Sequence, residues 1–237
     1  MIEQPVVFLP GTLCDERVWL PVWRQLSLAQ RRYVPLQWAS SKEEMLTLTA
    51  DRIMNDEKVH LVGFSMGGYI ASLYACANPK RIASLTLVGY NANGFEHAEE
   101  MRRKQLIGSL RKGQFKPDNP NYLERFIHLD FLNSQVADTV RAMGSDLGAS
   151  TLLAHTQATT PRSSTLAGLA KSPFPIHVVA AEQDQVTPLA GMQSMAATLP
   201  SATLTVILGS GHMVILERPA ETTQALLAGF KPYPPCK

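Results

Sequence analysis

The run Gly63-Phe64-Ser65-Met66-Gly67 constrains this chain more than any other feature of its 237 residues. His60-Leu61-Val62 before it is apolar and β-branched enough to form a strand, and the residues from Met66 onward have helical character. A serine on so sharp a strand-to-helix turn must take up strained backbone angles. Flanking glycines remove the Cβ atoms that would otherwise strike the strand and helix, and Gly68 extends that small-residue surface. Such a turn lifts the hydroxyl of Ser65 above the carboxyl edge of a sheet. The helix N-terminus behind it offers unpaired N–H groups to a developing negative charge.

Strand-like runs recur at Val6 to Leu9, Val34 to Gln37, His60 to Gly63, Leu85 to Gly89, Ile176 to Ala181 and Thr203 to Leu208. Helical stretches at Glu43 to Met54, Met66 to Ala77 and Leu189 to Leu199 separate most of them, as a doubly wound parallel sheet requires. The expected fold is α/β, a mostly parallel sheet of about six strands with helices on both faces. From Asn91 to about Pro173 the strand rhythm lapses. Helices are expected instead at Glu96 to Arg111, Tyr122 to Phe131, Ser134 to Leu147 and near Thr151 to Ala158, with breakers such as Lys116 to Pro120 between them. This organisation predicts a core of residues 1–90 and 174–237 and an inserted helical cap of residues 91–173. The same helices could instead simply extend the globule.

A serine hydroxyl needs a base to become a nucleophile, and the base needs an orienting partner. Of six histidines, His60 and His177 fall in strands and His97, His128 and His155 in the inserted segment. Only His212, in Gly209-Ser210-Gly211-His212-Met213, lies in a glycine-rich loop just past a strand. The carboxylate is expected in the loop after Ile176 to Ala181, where Asp184 is preferred to Glu182 because the longer side chain abuts the strand and is less restrained. Asp184 has a competing role as a cap for the helix near Pro188. The order Ser, Asp, His along the chain differs from that of the chymotrypsin and subtilisin types. For the oxyanion, the backbone N–H of Met66 is one donor. Thr12, in the glycine turn Leu9-Pro10-Gly11-Thr12-Leu13-Cys14-Asp15, is the expected second, with Leu13 as its rival. Cys14 has no neighbouring histidine or cation in sequence and reads as an inert packed thiol. Leu13, Phe64, Tyr90, Phe95 and Phe131 are candidates for substrate contact. Arg102, Arg103 and Lys104 read either as a solvated helix face or as a receiver for a carboxylate or phosphate.

Lys plus Arg number 22 against 20 Asp plus Glu, so the net charge of +2 supplies no field to recruit nucleic acid or an anionic membrane. No window approaches the roughly 20 apolar residues of a bilayer span, and the N-terminus carries no basic, apolar leader. Cys14, Cys76 and Cys236 are too scattered for a disulfide framework. The expectation is a cytoplasmic monomer or homodimer acting on a small molecule, with no cofactor and no metal.

With these residues set out, the chain resembles the α/β-hydrolase superfamily from Val6 to Phe230. Pro10-Gly11-Thr12 stands where many members carry His-Gly-x; Gly63 to Gly68 looks like the nucleophile elbow; Asp184 with Thr187-Pro188 resembles the acid loop; Gly211-His212 with Glu217 and Pro219 resembles the histidine loop. The resemblance implies a Ser65, Asp184, His212 triad and an oxyanion hole at Thr12 and Met66. Proline at position 10 removes a side chain that often braces the oxyanion loop. The antiparallel strands that open larger members are not expected before Val6. Within the superfamily, Leu9 to Asp15 with Val18-Trp19, and Arg102-Arg103, are most similar to compact bacterial serine esterases. They are less similar to pimeloyl-carrier-protein methyl esterase and the menaquinone-pathway synthase. The implied activity is hydrolysis of a small carboxylic ester or thioester through an acyl-enzyme. The alternatives are a carbon–carbon lyase or hydrolase on the same triad and a non-catalytic ligand-binding member, and fold alone does not choose among them.

Overall fold

The computed structural model describes residues 2–116 and 119–230; part of the breaker cluster at Lys116 to Pro120, and Cys236, lie outside them. Six strands form one sheet: β1 (Val6–Leu9), β2 (Arg31–Tyr33), β3 (Val59–Phe64), β4 (Ile82–Val88), β5 (Ile176–Ala181) and β6 (Ala202–Ile207). Their spatial order is β2-β1-β3-β4-β5-β6, and every pairing is parallel. The order reverses direction between β1 and β3, so the carboxyl ends of these two strands flank a crevice.

β1, β3 and β5 are buried along their whole length, which is why they read as continuous apolar runs rather than alternating ones. One face carries α2 (Lys42–Ala50), α3 (Met66–Ala77) and α8 (Leu189–Thr198), packed through Met45, Ile70 and Met192. The other carries α1 (Leu20–Trp23), α9 (Val214–Glu217) and α10 (Pro219–Gly229), packed through Val22, Ile215 and Leu226. Each such fully buried side chain contributes roughly 1.5–3 kcal/mol, so the sheet is held by two cores rather than one.

Between β4 and β5 the chain forms α4 (His97–Arg111), α5 (Pro120–Phe126), α6 (Gln135–Ala158) and α7 (Leu166–Leu169). The two helices expected at Ser134 to Leu147 and Thr151 to Ala158 are one element bent at Gly148, whose φ of 72° and ψ of −179° break the helical repeat. The helix expected through Phe131 stops at Phe126, and His128 caps a separate short 3-10 turn over Leu129–Phe131.

The strand expected at Val34 to Gln37 is misplaced. β2 is the edge run Arg31–Tyr33, pairing Val6 with Arg31 through Phe8 with Tyr33. Its first residue is exposed, so it lacks the apolar signature that marks the buried strands. Pro35 has no N–H to donate and the chain turns into a 3-10 helix at Leu36–Trp38, burying Val34 and Leu36.

Candidate active site

Ser65 stands between β3 and α3 with φ 51° and ψ −112°, a conformation side chains rarely adopt. Its own N–H donates to the carbonyl of Val88 at 2.9 Å, which pins the turn to β4. The close approach is made by missing side chains. A Cβ on Gly63 would sit 2.5 Å from the carbonyl oxygen of Gly67, and one on Gly67 would sit 2.5 Å from the carbonyl oxygens of both Leu9 and Pro10. The glycines flanking the serine thus lock strand, helix and the loop after β1 together.

The loops after β5 and β6 bring the other two groups. Gln183 N–H donates to Ser210 O at 3.0 Å and Gly209 N–H to Glu182 Oε2 at 3.0 Å, stitching neighbouring loops together. Glu182 is thereby turned toward residue 209, and Asp184 faces the imidazole. His212 Nδ1 lies 2.7 Å from Asp184 Oδ2 and its Nε2 lies 3.0 Å from Ser65 Oγ. The geometry fits an Nδ1–H donating to the carboxylate and the serine hydroxyl donating to Nε2.

Asp184 faces His212 and organises the turn before α8, but it does not cap that helix, whose N-cap is Pro188 with no side-chain bond. Oδ1 accepts from Val186 N–H at 2.7 Å and Thr187 N–H at 2.8 Å, organising the turn before α8, while Oδ2 accepts from Thr187 Oγ1 at 2.6 Å and faces His212. Burial pushes this carboxyl up, but the His212 charge and hydrogen bond and the Thr187 hydrogen bonds outweigh it and leave it below the usual carboxylate range. It is therefore a fixed anion.

Glu217 braces the histidine loop from beneath, accepting Gly211 N–H at 2.5 Å and His128 N–H at 3.1 Å. Burial raises its carboxyl above the ordinary value against those two bonds. Arg218 donates from Nε and Nη2 to Gly209 O at 3.2 and 3.0 Å. Met213 N–H reaches Phe126 O at 2.9 Å, tying the loop to α5. The His212 ring packs 5.1 Å from that of Phe64 and 5.9 Å from that of Phe126.

In the loop after β1 the structure distinguishes the two amides weighed as donors. The Leu13 N–H donates to His155 Nδ1 at 3.2 Å, so it is already engaged. Thr12 N–H and Met66 N–H donate to no group among the described residues. Cys14 helps hold the loop: its N–H donates to Gly11 O at 3.3 Å and its thiol to Thr12 O at 3.5 Å. Burial, with Asp15 adding to it, pushes that thiol up to about 12, which keeps it protonated and unreactive.

Ser65, His212, Thr12, Leu13, Phe64 and Phe95 line one cavity of about 400 Å³ roofed by α4, α5 and α6. Tyr90 and Phe131 are not among its lining residues. The Tyr90 hydroxyl is paired with Thr165 Oγ1 at 2.9 Å in the core, where its ring also blocks any side chain at Gly68. Phe131 packs against His128 and the Arg218 guanidinium on the back of the histidine loop. Both make their contacts with protein groups outside the cavity. Sequence reasoning missed Arg125 and Arg162, which also line the cavity. Nothing in their local sequence distinguishes them from surface arginines.

A parallel sheet with a serine on the turn after its third strand, and acid and histidine loops after the fifth and sixth, is the architecture of α/β hydrolases. The alpha/beta hydrolase fold family matches residues 42–219, and the chain belongs to that family. Among curated proteins it is similar to monoacylglycerol lipase ABHD6 of Bos taurus, with 24% identity over 186 residues covering 73% of this chain and 55% of the relative. The chain thus spans about half the length of the curated relatives it matches. Among solved structures, a thermophilic esterase from Thermogutta terrifontis superposes with TM-score 0.78 at 22% identity, covering 95% of this chain and 88% of the other. The putative non-heme bromoperoxidase BpoC from Mycobacterium tuberculosis gives 0.78 at 24% identity, covering 96% and 91%. At these identities the structural likeness speaks to the fold. No helix among the described residues is long and apolar enough to cross a membrane.

Proposed function

We propose that this chain is a serine hydrolase that cleaves a small carboxylic ester or thioester through an acyl-enzyme. The observation that carries the reading is the unbroken line from Asp184 Oδ2 through the imidazole of His212 to Ser65 Oγ, with steps of 2.7 and 3.0 Å, at the wall of the cavity beneath α4, α5 and α6. In this reading His212 takes the Ser65 proton as Oγ attacks the carbonyl carbon, and Asp184 stabilises the imidazolium. The N–H groups of Thr12 and Met66 hold the oxyanion. His212 then protonates the leaving alcohol or thiol, and water, deprotonated by the same ring, releases the acid. The helices between β4 and β5 act as a cap that shields the acyl group from solvent. The names of the relatives, an esterase and a monoacylglycerol lipase, agree with ester chemistry.

The test is turnover of short p-nitrophenyl esters together with labelling by a fluorophosphonate. Both are expected in the native protein and both are expected to vanish in Ser65→Ala, with turnover falling at least about a thousandfold. Full activity in that variant would overturn the proposal. Labelling without ester turnover would instead point to the carbon–carbon chemistry that the same three residues could serve.

A further inference from the structure

The roof of the cavity carries four arginines, Arg102, Arg103, Arg125 and Arg162, and two carboxylates, Glu96 and Glu99. Glu96 is exposed at its rim, and Glu99 is taken up by Arg102, whose Nε donates to it at 2.8 Å, with Arg125 standing 3.6 Å away. Arg103 and Arg162 have no carboxylate partner among the described residues. Arg103 donates to the hydroxyls of Thr160 at 2.7 Å and Thr159 at 2.9 Å, and Arg162 reaches that same Thr159 hydroxyl at 3.5 Å. Both guanidinium groups lie over the Phe95 ring, at 4.7 and 4.3 Å from its centre.

Arg162 is 8% exposed, and its Nε, like that of Arg125, is buried without a hydrogen-bond partner. Burial and the neighbouring Arg162 charge pull Arg103 down to about 9, and burial pulls Arg162 down to about 10. Both remain cations at neutral pH. Buried charges in folded proteins are ordinarily paired, because an unpaired one forfeits its hydration without return. Stacking on Phe95 and, for Arg162, on Tyr69, bonds to neutral threonine hydroxyls, and the field of a Glu99 already bonded to Arg102 leave both guanidinium groups without a directly bonded counter-ion. A planar, doubly charged-assisted partner, an oxyanion group, would supply that counter-ion, and guanidinium forks bind such groups in pairs of parallel hydrogen bonds.

We infer that the Arg103–Arg162 pair is an anion subsite, and that the natural substrate is an ester or thioester bearing a second group with terminal anionic oxygens, a carboxylate or a phosphate. The inference rests on the proposed ester hydrolysis at Ser65, whose hydroxyl lines the same cavity. The neutral reacting carbonyl sits at the sheet edge and the anion is held under the cap helices, so the pair selects substrate without taking part in the chemistry.

Two p-nitrophenyl esters of the same five-carbon acyl length separate the claims: neutral p-nitrophenyl pentanoate and mono-p-nitrophenyl glutarate. The glutarate ester is expected to show a kcat/KM at least about tenfold higher, as one charge-assisted contact supplies. That preference is expected to collapse in Arg103→Met and in Arg162→Met. A parallel measurement does not need turnover. Glutarate or glycerol phosphate, each at millimolar concentration, is expected to raise the melting temperature of Ser65→Ala, and adding Arg103→Met to that protein is expected to abolish the rise. Protection by one ion alone identifies the source of the anionic group.

Hydrolysis of the pentanoate ester with no preference for glutarate and no thermal protection would overturn the anion subsite and leave ester hydrolysis standing. Protection that depends on Arg103, with neither ester cleaved, would keep the subsite and reject the reading of Ser65. If Arg162→Met does not fold, the Arg103→Met comparison decides alone.

Discussion

The backbone N–H of Leu13 donates to Nδ1 of His155 across a sequence separation of 142 residues, while His155 Nε2 faces the carbonyl of Leu36 at 3.0 Å. Because Nδ1 accepts, the proton sits on Nε2 and donates to Leu36. Burial pulls this imidazole down to about 4, so the ring is neutral at physiological pH. Leu13 itself holds a φ of 54°, unusual for a residue with a side chain, next to the Thr12 amide. Pro10 cannot brace this loop with an imidazole, and His155, arriving from α6, bridges it to Leu36 instead. His155→Leu leaves the Leu13 N–H and Leu36 C=O without partners, at about 1–3 kcal/mol each. The variant is expected to unfold at lower urea and to lose kcat on p-nitrophenyl esters about tenfold, comparable to a partly misaligned oxyanion donor. A variant that loses stability but retains kcat would show that His155 only packs.

Asp184→Asn keeps an oxygen for the Val186 and Thr187 amides but presents the wrong hydrogen-bonding group to His212. We expect the fold to survive and kcat to fall about a thousandfold to ten-thousandfold, as when the tautomer of a catalytic imidazole is reversed. Circular dichroism and steady-state kinetics on the same preparation check both halves of the statement.

His60, His155 and His177 are buried, each with its pKa lowered by burial to about 4. Between that value and the ordinary 6.5 the unfolded chain binds protons that the native state refuses. Stability contributed by these rings is complete above pH 6.5 and falls as the pH drops toward 4. Urea midpoints measured from pH 7.5 to pH 4 are expected to decline over this window, and His155→Leu is expected to decline less steeply because one of the three rings is gone. A flat profile would contradict the burial of all three.

Two glycine substitutions should act in opposite directions. Gly67→Ala places a methyl group 2.5 Å from the carbonyl oxygens of Leu9 and Pro10, neither of which can move without displacing β1, and is expected to cost about 3 kcal/mol or more. Gly108 lies inside α4 with nothing within 4 Å of an added Cβ. Gly108→Ala should stabilise by about 0.5–1 kcal/mol through helix propensity. Paired denaturation curves measure both signs.

Local sequence marked most of the strands and helices, the serine turn and the loops that carry Asp184 and His212, because buried parallel strands are continuous apolar runs, glycines flank Ser65 and precede His212, and a polar stretch follows β5. It misplaced β2, since Arg31–Tyr33 at an exposed sheet edge has no apolar pattern to read, while Val34 and Leu36 are apolar for a different reason. It also could not separate Tyr90 and Phe131 from Phe64 and Phe95. An aromatic side chain has the same composition whether its neighbours are protein or a cavity. The tertiary structure alone decided that Leu13 N–H is engaged and Thr12 N–H is not, since the acceptor comes from a helix more than a hundred residues away. It likewise decided that Arg103 and Arg162 meet over Phe95 with no carboxylate bonded to either among the described residues. Backbone preferences are short-range and written residue by residue, whereas charge balance and hydrogen-bond satisfaction belong to a volume of space, and only folding specifies which residues share it.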